Sequence, residues 1–542
     1  MQGKHHHQPR LFVPVTLDSL VPEDNIYRQL DSALNLQFLY KETESFYGTE
    51  GQPSIDPTVF FKILLVGYLN NLQSDRKLIQ FCANSLDVRW YLGYELDEAL
   101  PWHSTISRTR ALFGEEIFLK LFRQVLSLCV QKGMVRGKRQ AVDSAFIKAN
   151  ASLDSLKEKE IVGDGEAWAD ELDSNSEFTV SQQRKNLVDK HHQWKKQAYR
   201  DMPGHSAAAK RERLEAASKE ETDDNGNRIR GKYLSNHTHY SPTDPDARIS
   251  VKPGKARQMN YFGQLAVDDA HHVITGATAD FADQRDSQCL EKIVELATSH
   301  LEENGLKAEQ ILADAGYSSG EALEYLNRKE LDAWIPNFGQ YVPQRDGFEY
   351  NRELNRYECR KPGGKAANLE YKGERPVSKG YIKRTYRGSE SDCGKCPLRA
   401  ECCGAATRFK KIDDSIHKEL YDAMHRKLTG NPKTARKMSR IRSKTVEPVL
   451  GTLLNFTSMR RVHTRGIEGA TKHVLMAALT YNLKKYLKWV RKNPVVSKPV
   501  EKLVKKGAKM KELFSFSRYS SIINTCGKNR TIYQNKQINY LV

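Results

Sequence analysis

"RQAVDSAFIKANA", residues 139–151, sets a carboxylate in the middle of an alternating stretch. Ala141, Asp143, Ala145 and Ile147 fall on one side, and Val142, Ser144 and Phe146 on the other. That period of two is a β-strand. Aspartate is disfavoured inside a strand, and a half-buried one needs a hydrogen-bond donor or a cation. The stretch therefore marks both the start of a sheet and a candidate site.

Upstream of it the pattern is helical. In "SIDPTVFFKILLVGYLNNL" Asp56 is placed to cap a helix with Pro57 at its first position. "SDRKLIQFCANSL" starts at Ser74, "PWHSTISRTRALFG" near Ser104, and "EEIFLKLFRQVLSLCVQKG" stops at Gly133. Short helices, tight turns and Arg76, Arg108 and Arg110 suit either a helix-turn-helix-like DNA reader or a plain bundle. We assign 10–133 to an N-terminal helical region.

Downstream, 154–256 is charged and poor in apolar residues, an insertion with some helix near 180–220. Strands return at 260–268 and 271–280, joined by Asp269-Ala270. A helix from Asp286 to Gly305 follows, then the strand "AEQILADAG", a helix from near Ser318, and the strand "DAWIPN". Three strands before the first helix predict an antiparallel meander, and the later alternation predicts parallel pairing. The fold class is thus multidomain α/β, with a mixed sheet over 138–337 interrupted by the insertion. A cysteine-rich insertion spans 338–432. The segment 433–490 opens with the basic run "KTARKMSRIRSKT", and "VEPVLGTLLNF" then starts a helix with Glu447 at its head. "ATKHVLMAALTYNLKKYLKWV" is a strong helix. A Lys-rich tail fills 491–542.

The chain carries a formal charge of +19 over 542 residues. Such an excess favours a polyanion partner, nucleic acid before membrane. No apolar run reaches the ~18–20 residues that span a bilayer, and the N-terminus lacks a signal peptide. The expected location is intracellular. The nine cysteines are then free thiols or metal ligands.

Asp314 ends the strand "ILADAG", and Glu447 precedes Pro448 beside the basic run. Carboxylates gathered with Asp143 would repel one another unless cations neutralise them. Magnesium or manganese, with all-oxygen ligation, does so. Two such ions support phosphodiester chemistry. Asp268, Asp269, Asp280, Asp283 and Asp286 also lie near element ends, and spacing does not exclude them.

"SIDPTVFFKILLVGYLNNLQSDRKLIQFCANSLDVRWYLGYELDEALPWHSTISRTR", "VDSAFIKANAS", "ADAGYSSGEAL" and "VEPVLGTLLNF…MRRVHTRGIEGATKHVLMAALTYNLKKY", in that order, resemble bacterial insertion-sequence transposases of the DDE type, the group numbered eleven eighty-two. The resemblance covers nearly all of 10–490. It implies a ribonuclease H-like catalytic domain with Asp143, Asp314 and Glu447 as catalytic residues and ligands of two Mg2+ or Mn2+ ions. It also implies DNA cleavage at terminal inverted repeats, joining of 3′-hydroxyl ends to target DNA, and a homodimer or larger assembly on double-stranded DNA. Related enzymes often carry Arg four residues before the Glu and Lys seven after; here Ser443 and Leu454 stand there. Arg440, Arg442, Lys444, Arg460, Arg461 and Arg465 are the nearby phosphate-binding candidates. The rival functions are a metal-dependent nuclease without strand transfer and a catalytically inactive DNA-binding protein.

Cys393, Cys396 and Cys402, with Cys359 upstream, are candidate ligands of a structural Zn2+ that would hold a segment with too little core of its own. His463, in "RRVHTRG", reads as a solvated loop histidine near DNA phosphate.

Overall fold

A computed structural model describes residues 16–48, 50, 54–158, 235–236, 239–250, 257–339, 341–376, 382–403 and 407–493. The start of the 10–133 region, the helix expected at 180–220, Cys526 and the tail beyond 493 lie outside the described residues. The chain divides into two units, 1–486 and 487–542. Of the second, only the end of the helix Gly466–Lys492 and Asn493 are described.

The N-terminal helices pack around Pro57–Leu69, which buries Phe60, Phe61, Ile63, Leu64, Leu65 and Val66. Asp56 caps it as expected, accepting from the N–H groups of Thr58 and Val59, with Pro57 at the first position. Phe113, between the helices His103–Leu112 and Glu115–Gln131, is fully buried. Its ring meets those of Phe46, Phe60 and Phe61 at 5.6, 5.4 and 6.1 Å. Gly133 has φ +70°, the left-handed conformation that ends the last of these helices.

The expected strand is there: β1, Arg139–Lys148. It pairs antiparallel with β2, Gln258–Asp268, which pairs antiparallel with β3, Ile274–Phe281. On its other edge β1 pairs parallel with β4, Gln310–Leu312, and β4 pairs parallel with β5, Asp332–Trp334. The order is β3-β2-β1-β4-β5, with the short strand Arg248–Ser250 continuing the outer edge of β2. The meander and the later parallel pairing are both as the sequence predicts. The helix Asp286–Glu303 lies on the face carrying Val142, contributing Leu290, Ile293, Val294 and Ala297 to the core with Ala266, Ile311 and Ala313. Asn482 secures β3: its side-chain oxygen accepts from Ile274 N–H at 2.9 Å and its amide donates to Ile274 C=O at 2.8 Å.

Two expectations are corrected. Glu447 does not head a helix. One helix runs Pro432–Phe456, so the basic run and Glu447 share it and Pro448 lies inside. Arg, Lys and Ala are good helix formers, and they carry the helix through the single hydrogen bond that Pro448 removes. The cysteine-rich segment is not core-poor loop either. It forms a five-stranded antiparallel sheet, in the order Lys411–Ser415, Ile382–Gly388, Ala367–Pro376, Arg356–Cys359, Phe348–Asn351. Phe348, Tyr357, Leu369, Tyr386 and Ile412 are its core.

The last helix docks on the N-terminal helices through polar contacts. Tyr68 O–H bonds His473 Nδ1 at 2.6 Å, and His473 Nε2 bonds Ser458 C=O at 3.0 Å. A neutral ring satisfies both bonds, donating from Nε2 and accepting at Nδ1. Burial holds its pKa down at about 3. His463 is half-buried nearby, its Nε2 without a partner among the described residues, so it is no solvated loop histidine.

Two outcomes follow from this packing. Phe113→Ala is expected to cost about 3–5 kcal/mol in denaturant unfolding; a loss below 1 kcal/mol would contradict its place at the centre of the aromatic cluster. The folded chain keeps His473 neutral down to about pH 3, whereas an unfolded histidine protonates near 6.5. Its contribution to stability is thus complete above pH ~6.5 and is lost as pH falls, by up to about 1.4 kcal/mol per pH unit. His473→Gln should flatten the pH 5–7 slope of the urea midpoint; an unchanged slope would count against the neutral pairing.

Candidate active site

Asp143 is held by its strand, Asp314 by the end of a neighbouring strand, and Glu447 by the helix crossing them. The registered parallel pairs end at Ala141 and Leu312. Two residues beyond these stand Asp143, still within β1, and Asp314, past the end of β4, close enough for the Asp314 charge to bear on Asp143. β4 stops there because Asp314 turns back: its Oδ1 accepts from Gly316 N–H at 2.9 Å and caps the tight turn Ala315–Tyr317. Ser319 then caps the helix Gly320–Arg328.

Asp143 Oδ1 accepts from Ser144 N–H at 2.8 Å. Its Oδ2 accepts from Arg442 Nη1 at 3.0 Å. The other arm of that guanidinium, Nη2, donates to Glu447 Oε1 at 3.2 Å. Five residues of helix span about 7.5 Å, within reach of an arginine. The side chains of Asp143 and Arg442 are 16% and 14% exposed, that of Glu447 57%. The pair is therefore inside and the glutamate is at the rim. Burial pushes the Asp143 pKa up; Asp314 and Asp286 push the same way, while the Ser144 N–H and Arg442 oppose them.

Asp286 belongs to this neighbourhood. Its Oδ1 accepts from Ser144 O–H at 2.5 Å. A Cβ added at Gly316 would stand 3.0 Å from both Asp286 Oδ2 and Asp314 Oδ1, so those oxygens are no farther apart than twice that distance. Buried Tyr317 lies behind them and donates to Gln264 Oε1 at 2.7 Å. Sequence reasoning held Asp286 only as one of several competing acids. The signal that singles it out is its position at the first turn after the meander, which spacing alone does not weigh.

The other rivals have structural work. Buried Asp268 accepts from the N–H groups of Arg136, Gly137 and Ala270 and from Gln140, tying the loop before β1. Asp269 pairs with Arg139, Asp280 with Lys292 and Asp283 with Arg248.

The cationic candidates divide. Arg110 makes a half-buried two-armed pair with Asp75, at 2.8 and 3.1 Å, and is not a surface DNA contact. Burial favours such a pairing because a lone cation there would be costly. Arg76 and Arg108 are exposed. Arg440 and Lys444 are exposed on the helix that carries Glu447, and Arg460, Arg461 and Arg465 on the connection after it. None of these seven is in an ion pair among the described residues. Arg442, proposed for phosphate, is instead engaged with the carboxylates.

The donor set suits a hard divalent cation. Every candidate ligand is a carboxylate oxygen, the type magnesium and manganese take, and Asp143 and Glu447 already share a cationic group. Among the described residues no three His, Cys, Asp or Glu side chains are gathered to hold an ion as they stand. The same applies to the thiols: Cys359 and Cys402 pack against the core of the five-stranded sheet, and Cys396 Sγ accepts from Lys365 N–H at 3.4 Å. Burial, then Cys402 and Cys393, push the Cys403 thiol up to about 11. Among the described residues no thiolate cage for zinc is preformed.

Gly316→Ala would crowd the carboxylates of Asp286 and Asp314. It is expected to weaken Mn2+ binding by about tenfold in calorimetry, with unchanged circular dichroism. Wild-type affinity in that variant would contradict the placement of these carboxylates around Gly316.

Two stretches match protein-family models. Residues 15–112 match a transposase domain, DUF772, and residues 360–487 match a transposase DDE domain. The second contains Arg442 and Glu447; Asp143 and Asp314 lie outside both. No curated protein matches the chain. The two matches, in this order on one chain, support a DDE transposase that acts on DNA.

Proposed function

We propose that the protein is an insertion-sequence transposase of the group numbered eleven eighty-two. In this reading 138–337 and 433–490 form a ribonuclease H-like catalytic domain that cleaves DNA at terminal inverted repeats and joins the 3′ ends to a target. The carrying observation is the meeting of Asp143 and Glu447, far apart in sequence, on one cationic group beside Asp314. The strand order β3-β2-β1-β4-β5, antiparallel then parallel, supports the ribonuclease H-like assignment.

The chain's own residues divide the work. Asp143 projects from within β1 and Asp314 from just past the end of the neighbouring β4, a rigid base for a site, and Glu447 closes it from the crossing helix. Two Mg2+ or Mn2+ ions, when bound by these three, would supply an activated water or 3′-hydroxyl and stabilise the leaving oxygen. Arg440, Lys444, Arg460, Arg461 and Arg465 would neutralise phosphates near the site, and Arg76 and Arg108 phosphates farther off, by counterion release. Cutting two ends together calls for a dimer or larger assembly on DNA, and the expected setting is the bacterial nucleoid.

The test is a cleavage and strand-transfer assay on DNA carrying the element ends, with Mg2+. Asp143→Ala, Asp314→Ala and Glu447→Ala should each lower both steps at least about a hundredfold while end binding persists. Activity that survives Asp314→Ala would overturn the site. Cleavage without joining would leave a nuclease.

A further inference from the structure

Of the oxygens that Asp143 and Glu447 could offer a divalent ion, Arg442 already holds one from each. Asp143 Oδ1 is engaged by the Ser144 N–H, Oδ2 by Arg442 Nη1, and Glu447 Oε1 by Arg442 Nη2. A second cation on the same oxygens would sit within a few ångström of the guanidinium, and like charges that close repel strongly in a half-buried site.

We propose that Arg442 is an exchangeable counter-cation: it bridges Asp143 and Glu447 in the metal-free protein and must leave them when divalent ions bind.

This rests on the metal-dependent reading above. Asp143 is largely buried, with Asp314 and Asp286 close by, and left alone that many carboxylates would spread apart or protonate. Arg442 neutralises them and holds strand and crossing helix in register. Among the described residues no three carboxylates are gathered to hold an ion in this state, and the guanidinium stands between Asp143 and Glu447. The rim offers the released side chain a way out, since Glu447, its outer partner, is largely exposed. Arg442 is thus a positioning residue whose pairing opposes metal binding. The cost is a higher metal concentration needed to load the site.

The sign of the effect separates this role from a merely structural one. In calorimetric titration of the full chain with Mn2+ alone, without DNA, Arg442→Gln should bind about tenfold or more tightly than wild type. Arg442→Lys, one point charge that cannot fork to both carboxylates, should fall between, and it serves if the glutamine variant does not fold. Asp143→Asn should abolish the binding in either background. Equal or weaker Mn2+ binding in folded Arg442→Gln and Arg442→Lys, with Asp143-dependent binding in wild type, would overturn the exchange alone. Absence of Asp143-dependent binding in all of them would overturn the metal-centre reading and the exchange with it.

Discussion

The parallel pairing of β1 with β4 is the constraint on which the site depends. It is short, ending at Ala141 and Leu312, and the two aspartates stand just beyond its last pair. A one-residue slip would turn Asp314 to the opposite face of the sheet. The register is held from outside the pair. Arg139 reaches Gln310 at 2.8 Å, and Glu309 and Gln310 N–H donate to Lys138 C=O at 2.8 and 2.9 Å. Gly137, at φ +80°, lets the chain turn into β1 while its N–H is fixed by Asp268. A side chain there would also meet Leu306. Buried Asp268 thus helps to align the two aspartates of the proposed site.

The acids near the sheet end sort by what neutralises them. Those with structural duties are met by backbone N–H groups or by a nearby Lys or Arg. Asp143 and Asp314 also accept from backbone N–H groups, and Asp143 from Arg442, but with Asp286 they are crowded together, with Tyr317 and Ser144 among them. Crowding like charges raises the free energy of the folded state unless something offsets it, and sites that do chemistry are where that cost is tolerated. The absence of ion pairs around Arg440, Lys444 and Arg460–Arg461 among the described residues complements this: positive charge is left available beside the place where negative charge is concentrated.

Much of this was legible in the sequence. β1 could be read because its period of two is unbroken and its aspartate is out of place. The meander and the helix from Asp286 were legible from turns and from helical spacing. Glu447 was misplaced within its element because a proline after it reads locally as a helix start. The continuity from Pro432 depends on packing, with Val446 buried just before the proline and Val449 and Leu453 beyond it. The five-stranded sheet was hidden because its strands bury only one side chain in several, leaving charged residues such as Glu370 and Arg387 on the outside. Arg110 looked like a surface cation because its partner, Asp75, lies on another helix. The fork of Arg442 joins residues 143 and 447, a pairing no local pattern reports.

The most direct measurement is anomalous diffraction from a crystal soaked in Mn2+. The account predicts manganese peaks within ligand distance of Asp143, Asp314 and Glu447, with the Arg442 guanidinium turned away from both of its partners. Manganese bound elsewhere, with Arg442 still bridging Asp143 and Glu447, would contradict it.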